Sequence, residues 1–213
     1  MVRGHRDAMR RLLSRATIRT RISGWQDRRK PDKTHLPLAT LRPRNMSDVN
    51  PPFILRPAVP EDAGAIAELC NGLAVHSGES GTMMDAAKVL NHLLPPDSGF
   101  ALLVAERNGA VVGYALYQVA YESAHGAKGL YLSDLFVAPK ARRMGIASAL
   151  IAEVAARGKR DGGEFLWWVE KVDSPVAKTL YGKLADISVP VTAFAATRDA
   201  FDALAAQRRG GQS

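Results

Sequence analysis

Apolar positions recur along this chain with two periods, and the switches between them outline its elements. From Phe53, the short apolar run Ile54-Leu55-Arg56-Pro57 closed by proline predicts a strand. Asp62 to Leu73 then places Ala63, Ile66, Ala67 and Leu69 at helical spacing behind acidic residues, which suit the positive end of a helix dipole. A second helical stretch, Met83 to Leu94, stops at Pro95-Pro96, and the polar, glycine-bearing Val75 to Gly81 connects the two. Phe100 to Glu106 and Val111 to Tyr121 are rich in β-formers, and Asn108-Gly109 between them is a strong tight-hairpin signal. Gly129 to Val137 reads as another strand, ended by Pro139. Ile146, Leu150 and Val154 then recur at helical spacing, with Gly158 placed to cap the helix. Phe165 to Val169 predicts a strand, Pro175 to Leu184 a short helix, Val189 to Ala195 a last strand and Asp199 to Gln207 a closing helix. Strands interleaved with helices in this order imply an α/β layered domain.

Charge changes the picture at one end only. Of 29 Lys/Arg and 21 Asp/Glu in the 213 residues, thirteen and three respectively lie in Met1 to Asn45, leaving sixteen basic and eighteen acidic residues for the rest. The net charge of +8 therefore belongs to the tail, and the mildly acidic remainder argues against a nucleic-acid binder. Residues 1–50 read as a basic, disordered extension or an overlong reading frame, with Met46-Ser47-Asp48 resembling a second start; a transit peptide or nucleic-acid arm is the competing reading. The folded domain is expected over residues 51–208, with 209–213 a disordered tail. The single cysteine, Cys70, excludes an intramolecular disulfide, suits the reducing cytoplasm, and sits in a helical pattern as a small core residue. No apolar run approaches the roughly 20 residues of a membrane span. His76, His92 and His125 have no metal-ligand spacing, so no metal is expected, and neither a P-loop nor a dinucleotide fingerprint is present.

The densest chemistry lies at Arg142-Arg143-Met144-Gly145-Ile146-Ala147, between a predicted strand and a predicted helix. A helix start offers unpaired backbone N–H groups and the positive end of the macrodipole, so an anionic phosphate is its natural cap. Gly145 and Ala147 carry no bulk to hold a phosphate away. The pattern Arg-x-x-Gly-x-Ala after Leu135-Phe136-Val137-Ala138-Pro139 resembles the acetyl-CoA-binding motif of the GNAT N-acetyltransferases. The resemblance runs from about Phe53 to about Ala205 and is nearest to the diamine (spermidine/spermine) N-acetyltransferase branch. It implies the GNAT fold, a mixed twisted sheet flanked by helices whose strands splay around the acetyl-CoA site.

The resemblance also assigns roles. Arg142, Arg143, Met144, Gly145, Ile146, Ala147 and Ser148 would hold the diphosphate, Leu135, Phe136 and Val137 the pantetheine arm, and Ser174 the cofactor backbone where the family usually has Asn. Tyr181, in a segment like the family's Asn-x-x-Ala-x-x-Leu-Tyr, would protonate the departing thiolate; its other reading is a ring packed beneath the cofactor. Acetyl transfer to an alkyl amine of pKa about 10.4 also needs a proton acceptor, since deprotonation at pH 7 costs about 4 kcal/mol. In Tyr131-Leu132-Ser133-Asp134-Leu135-Phe136-Val137, Asp134 matches the second acid of the branch's Tyr-Leu-Glu-Asp-Phe-Phe-Val, whereas Ser133 replaces the first. On an ideal strand Asp134 would share a face with Leu132 and Phe136, where a carboxylate is costly to bury; a bulge would change that face. Glu79, Tyr131, Ser133, Asp134, Trp168 and Glu170 are the candidate acceptor-binding residues. Trp167 and Trp168 must point to opposite faces, one into the core and one toward the cleft.

These features imply an acetyl-CoA-dependent N-acetyltransferase whose acceptor is a small primary amine, a polyamine, diamine or amino-acid-like compound, attacking directly. Two rivals are a protein or peptide acceptor and a non-catalytic acyl-CoA-binding module, the latter motivated by Ser133, Ser174 and Ala185. Family members are often homodimers, and the sequence leaves the oligomeric state open.

Overall fold

In the computed structural model, five strands form one sheet whose spatial order follows the chain, β1-β2-β3-β4-β5. They are β1 (Ile54–Pro57), β2 (Ala101–Arg107), β3 (Ala110–Glu122), β4 (Ala127–Val137) and β5 (Phe165–Trp167). The first three pairings are antiparallel and β4 with β5 is parallel, as the crossover through a helix requires. Residues 52–81, 83–170 and 175–207 are described; the chain divides after Asn50, and all of them lie beyond that division. The basic tail, Ser174 and the 209–213 tail lie outside the described residues.

Local chemistry explains each strong prediction. Asn108 and Gly109 adopt φ of 52° and 75°, the left-handed pair that matches a two-residue turn to the twist of β2 and β3. Helix α1 (Ala63–His76) is tied to the sheet at its start by Arg56 of β1, whose fork grips both oxygens of buried Asp62 at 2.6 and 2.8 Å and also reaches Glu106 at 2.8 Å. Asp62 further accepts from the Val59 N–H, and with the guanidinium beside it its carboxyl lies below the usual carboxylate range. Helix α2 (Ala86–Lys88) begins later than the predicted Met83, because the Asp85 carboxylate caps the Lys88 N–H; it runs on as one π turn, Val89–Leu93.

Apolar alternation divides the sheet into two packed faces. Helix α3 (Ile146–Arg160) seats Ile146, Leu150 and Val154 against Leu103, Ala115, Tyr117, Leu130, Leu132 and Val137. On the other face α1 and Val89 cover Leu102, Val104, Tyr114, Leu116 and Phe136. Helix α4 (Pro175–Leu184) adds Leu180 and Tyr181 to the α3 face.

Three expectations are corrected. Gly158 does not cap α3: it lies buried within the helix, where a Cβ would stand 2.9 Å from Leu130 Cδ1, and the chain leaves the helix through Asp161 and Gly162. It is small because the helix comes close to β4 there. Strand β5 stops at Trp167 rather than Val169. Residues 189–195 form no strand; Val189, Val191 and Phe194 stay exposed, and no described strand pairs with them before helix α5 (Asp199–Ala206). A β-prone run becomes a strand only beside an available edge, and Pro190 lacks an N–H to offer one.

Candidate active site

Strand β4 is paired on both sides only at Gly129, Leu130 and Tyr131, which face Phe165, Leu166 and Trp167 of β5. Beyond Tyr131 it keeps β3 alone, so the backbone of Leu132 to Val137 presents a bare edge on the β5 side. This is the splay expected for an extended ligand. At its head the register slips: Leu116 pairs with Asp134 and Tyr117 with Leu132, leaving Ser133 as the extra residue of a bulge. Leu130 and Leu132 therefore face α3, whereas Phe136 faces α1, so Asp134 does not share a face with Leu132 as an unbroken strand would have it. Asp134 turns to the α1 side, where its Oδ2 lies 3.5 Å from the hydroxyl of Tyr114. Burial pushes its carboxyl above the usual range, and the Tyr114 hydroxyl partly offsets that.

The bare edge ends at the basic turn. Pro139–Ala141 make one 3-10 turn that buries Ala141, Arg142 is extended, and Arg143 is left-handed at φ 64°. A positive φ at a residue with a Cβ stores strain, of the kind found at ligand-binding turns. Gly145 follows at φ 80° and caps α3 with backbone alone, so no side chain occupies the N–H groups of its first turn, those of Ile146, Ala147 and Ser148. Nothing lies within 4 Å of where a Gly145 Cβ would be, which leaves room for a phosphate. Ile146 is buried, so it can meet a ligand only through backbone, and Phe136 is packed beneath α1. Arg142 folds back on β4: its Nε donates to the Val137 carbonyl at 3.0 Å, and its guanidinium lies 5.4 Å above the Phe136 ring. Arg143 and Met144 are exposed beside it. A cavity of about 590 Å³ opens next to this turn on the α1 face, walled by Gly72, Val75, His76, Phe136, Lys140 and Arg142.

Across the splay stand Trp168, Glu170 and Tyr181. Trp168 is the inward member of the tryptophan pair, meeting the Tyr181 ring edge-on at 5.4 Å, while Trp167 is exposed. It packs on the core cluster beside the Tyr181 ring. Burial, then the charge of Glu170, raises the Tyr181 phenol, so its proton is held at neutral pH. Glu170 Oε2 is buried and has no hydrogen-bond partner among the described residues. Tyr131 is half-buried at the end of the paired segment. Glu79 stays in the exposed loop after α1, where Gly78 and Gly81 take φ of 83° and 66°. Tyr114 and Cys70, the neighbours of Asp134, carry no motif; only the packing of α1 on the registered β3 and β4 brings them there.

Among the described residues no group of three or more His, Cys, Asp or Glu could hold a metal, and no helix is long and apolar enough to cross a membrane. The site brings together an extended-ligand edge, an anion-ready turn, a protonated phenol and two half-buried carboxyl groups.

Comparison with known proteins places the chain in a family. Residues 73–185 match the model of the acetyltransferase (GNAT) family. The chain is 27% identical over 127 residues to an uncharacterized N-acetyltransferase, YhfO, of Bacillus subtilis, covering 60% of this chain and 85% of that protein. It is 34% identical over 116 residues to the thialysine N-epsilon-acetyltransferase of Bos taurus, covering 48% and 65% respectively. Among solved structures, an integron cassette protein from the mobile metagenome of V. cholerae superimposes with a TM-score of 0.62 at 18% identity, over 72% of this chain and 98% of that one. With the family model spanning the splayed strand, the basic turn and Tyr181 alike, the chain belongs to the GNAT family of acetyltransferases.

Proposed function

We propose that this acetyltransferase moves the acetyl group of acetyl-CoA to a primary amine of a small molecule, of the polyamine, diamine or amino-acid-like class, by direct attack. The observation that carries the reading is the half-paired β4, whose bare edge leads from Asp134 at the bulge to the side-chain-free start of α3. The backbone of Leu135 to Val137 would pair with the pantetheine arm as a strand pairs with its neighbour. The amides of Gly145 to Ser148 would take the diphosphate, with Arg142 and Arg143 supplying charge. Ser174, outside the described residues, keeps its proposed cofactor contact.

The acceptor arrives as an ammonium, and the Glu170 carboxylate, together with the cleft side of Tyr131 and Ser133, would hold it; Glu79 would reach it from its loop. Asp134 takes the ammonium proton. The neutral nitrogen then forms its bond to the acetyl carbon, the C–S bond breaks, Tyr181 gives its phenolic proton to the departing sulfur, and the proton that the nitrogen sheds in becoming an amide restores the Tyr181 phenol. A carboxyl raised by burial is suited to accepting a proton near neutral pH, and a phenol raised by burial is suited to holding one until it is needed. A relative named for acetylating the ε-amine of thialysine favours an amino-acid-like acceptor within this class. The half-buried single cysteine fits a cytoplasmic setting.

Free-thiol release from acetyl-CoA across a panel of diamines, amino acids and short peptides tests the reading. Turnover with one small-amine class supports it. Turnover with peptides alone moves the acceptor to the protein class, and tight acetyl-CoA binding without turnover makes the chain an acyl-CoA-binding module.

A further inference from the structure

Beneath α1 lies a group of polar side chains that acetyl transfer, as described so far, does not use. Tyr114 of β3 is wholly buried, yet its hydroxyl has two partners: Asp134 of β4 at 3.5 Å, and the thiol of Cys70, which hangs from α1 within hydrogen-bonding reach. A phenol has one proton to donate, so these two acceptors compete for it. Burial raises all three groups above their ordinary ranges, so the phenol and the thiol hold their protons at neutral pH while the carboxylate is made a stronger base. Apart from burial, the Tyr114 hydroxyl is what acts on Asp134; the other titratable groups on the surrounding elements, His76 of α1 and Arg142 of the turn, lie against the Phe136 ring. The surroundings of Tyr114 are otherwise apolar: Ile66, Leu69, Val104 and Phe136 fill the same cluster. Phenylalanine would satisfy that packing, so the hydroxyl calls for another reason.

We propose that Tyr114 is a positioning residue for acetyl transfer, whose hydroxyl, shared between Cys70 and Asp134, aims the Asp134 carboxyl at the bulge and steadies it as it ionises. The inference rests on Asp134 being the proton acceptor. It assigns β3 and α1 a part in the reaction that neither β4 nor the basic turn discloses. The 3.5 Å separation is a resting contact that shortens when the carboxylate forms and attracts the phenolic proton. Cys70 acts in the opposite sense, drawing that proton away from Asp134.

The test is the pH profile of kcat/KM for the amine in the full chain. Tyr114→Phe removes a donor to the carboxylate, so the acid limb moves to higher pH, and activity at neutral pH falls by about tenfold while the KM for acetyl-CoA stays within about twofold. Cys70→Ala removes the competing acceptor, so the same limb moves to lower pH. Opposed shifts of one limb are a signature that loss of packing does not produce, and the smaller Cys70 substitution keeps the test available if Tyr114→Phe folds poorly. Asp134→Asn separates the two layers of the argument. An Asp134→Asn variant that keeps the wild-type acid limb removes the proton-acceptor reading itself. An inactive Asp134→Asn beside unmoved limbs in both Tyr114→Phe and Cys70→Ala, even with a lowered Tm, overturns the positioning role alone.

Discussion

The two halves of β4 have the same backbone and opposite duties. Gly129 to Tyr131 lie between β3 and β5 with both edges bonded, and β5 approaches so closely that a Cβ on Gly129 would stand 2.5 Å from the Phe165 carbonyl oxygen. Leu132 to Val137 keep one partner, carry a bulge, hold a partly buried acid and end in a strained basic turn. The first half satisfies every rule of a stable sheet. The second breaks several within a few residues, and local rule-breaking supported by well-packed surroundings is the usual mark of a functional site.

Removing the bulge breaks the contrast most severely. Deleting Ser133 removes the bulge: Leu132 and Asp134 keep their faces opposite Tyr117 and Leu116, but the strand loses the local kink that aims this edge and its acid, and thiol release should fall by about 10³-fold or more as the geometry is lost. Circular dichroism with the steady-state assay separates misplacement from unfolding. Next comes the proton chemistry: Tyr181→Phe should lower kcat by about 10²-fold with acetyl-CoA affinity retained. Asp134→Asn should cost a similar factor in activity but no stability. Its sign follows from linkage: a carboxyl raised in the folded state weakens folding as pH rises from its unfolded value through its folded one, and an amide cannot ionise. The variant should therefore melt no lower than wild type at pH 7, and higher relative to it there than at pH 3. The acid limb of wild-type kcat/KM should correspondingly lie above the ordinary aspartate range.

The paired half should respond in the opposite currency. Gly129→Ala drives a methyl into the Phe165 backbone and ring, costing about 2 kcal/mol in chemical denaturation while the specific activity of the folded fraction stays within about twofold. Smallest of these effects, Gly145→Ala places a Cβ at φ 80° in otherwise open space, so strain of about 1 kcal/mol and a modest rise in the Kd for acetyl-CoA are expected from calorimetry.

Legibility in the sequence followed the same divide. The hairpin at Asn108-Gly109, the amphipathic α3 and the strand before Pro139 depend on local chemistry, and the structure places them where their patterns do. The Arg142 to Ala147 turn was legible because strand, turn and helix are contiguous. The orientation of Asp134 was not, since a bulge is a property of two strands in register, and the sequence of one supplies only its possibility. Tyr114 and Cys70 were hidden for the same reason: one lies unmarked in the β-rich Val111 to Tyr121 run and the other reads as a helical core residue until β3, β4 and α1 come together. Gly158 and the 189–195 run failed differently. A glycine near a helix end looks like a cap whether it terminates the helix or admits Leu130, and β-propensity cannot say whether an edge is present.

Residue-resolved amide hydrogen exchange with and without acetyl-CoA tests most directly whether the unpaired half of β4 is the donor site. Exchange should slow at edge amides within Ser133 to Val137 and at Ile146 to Ser148, while Gly129 to Tyr131, already bonded on both sides, stay unchanged. Binding of acetyl-CoA that leaves Ser133 to Val137 unprotected, or protects only the α1-face cavity, would contradict the account.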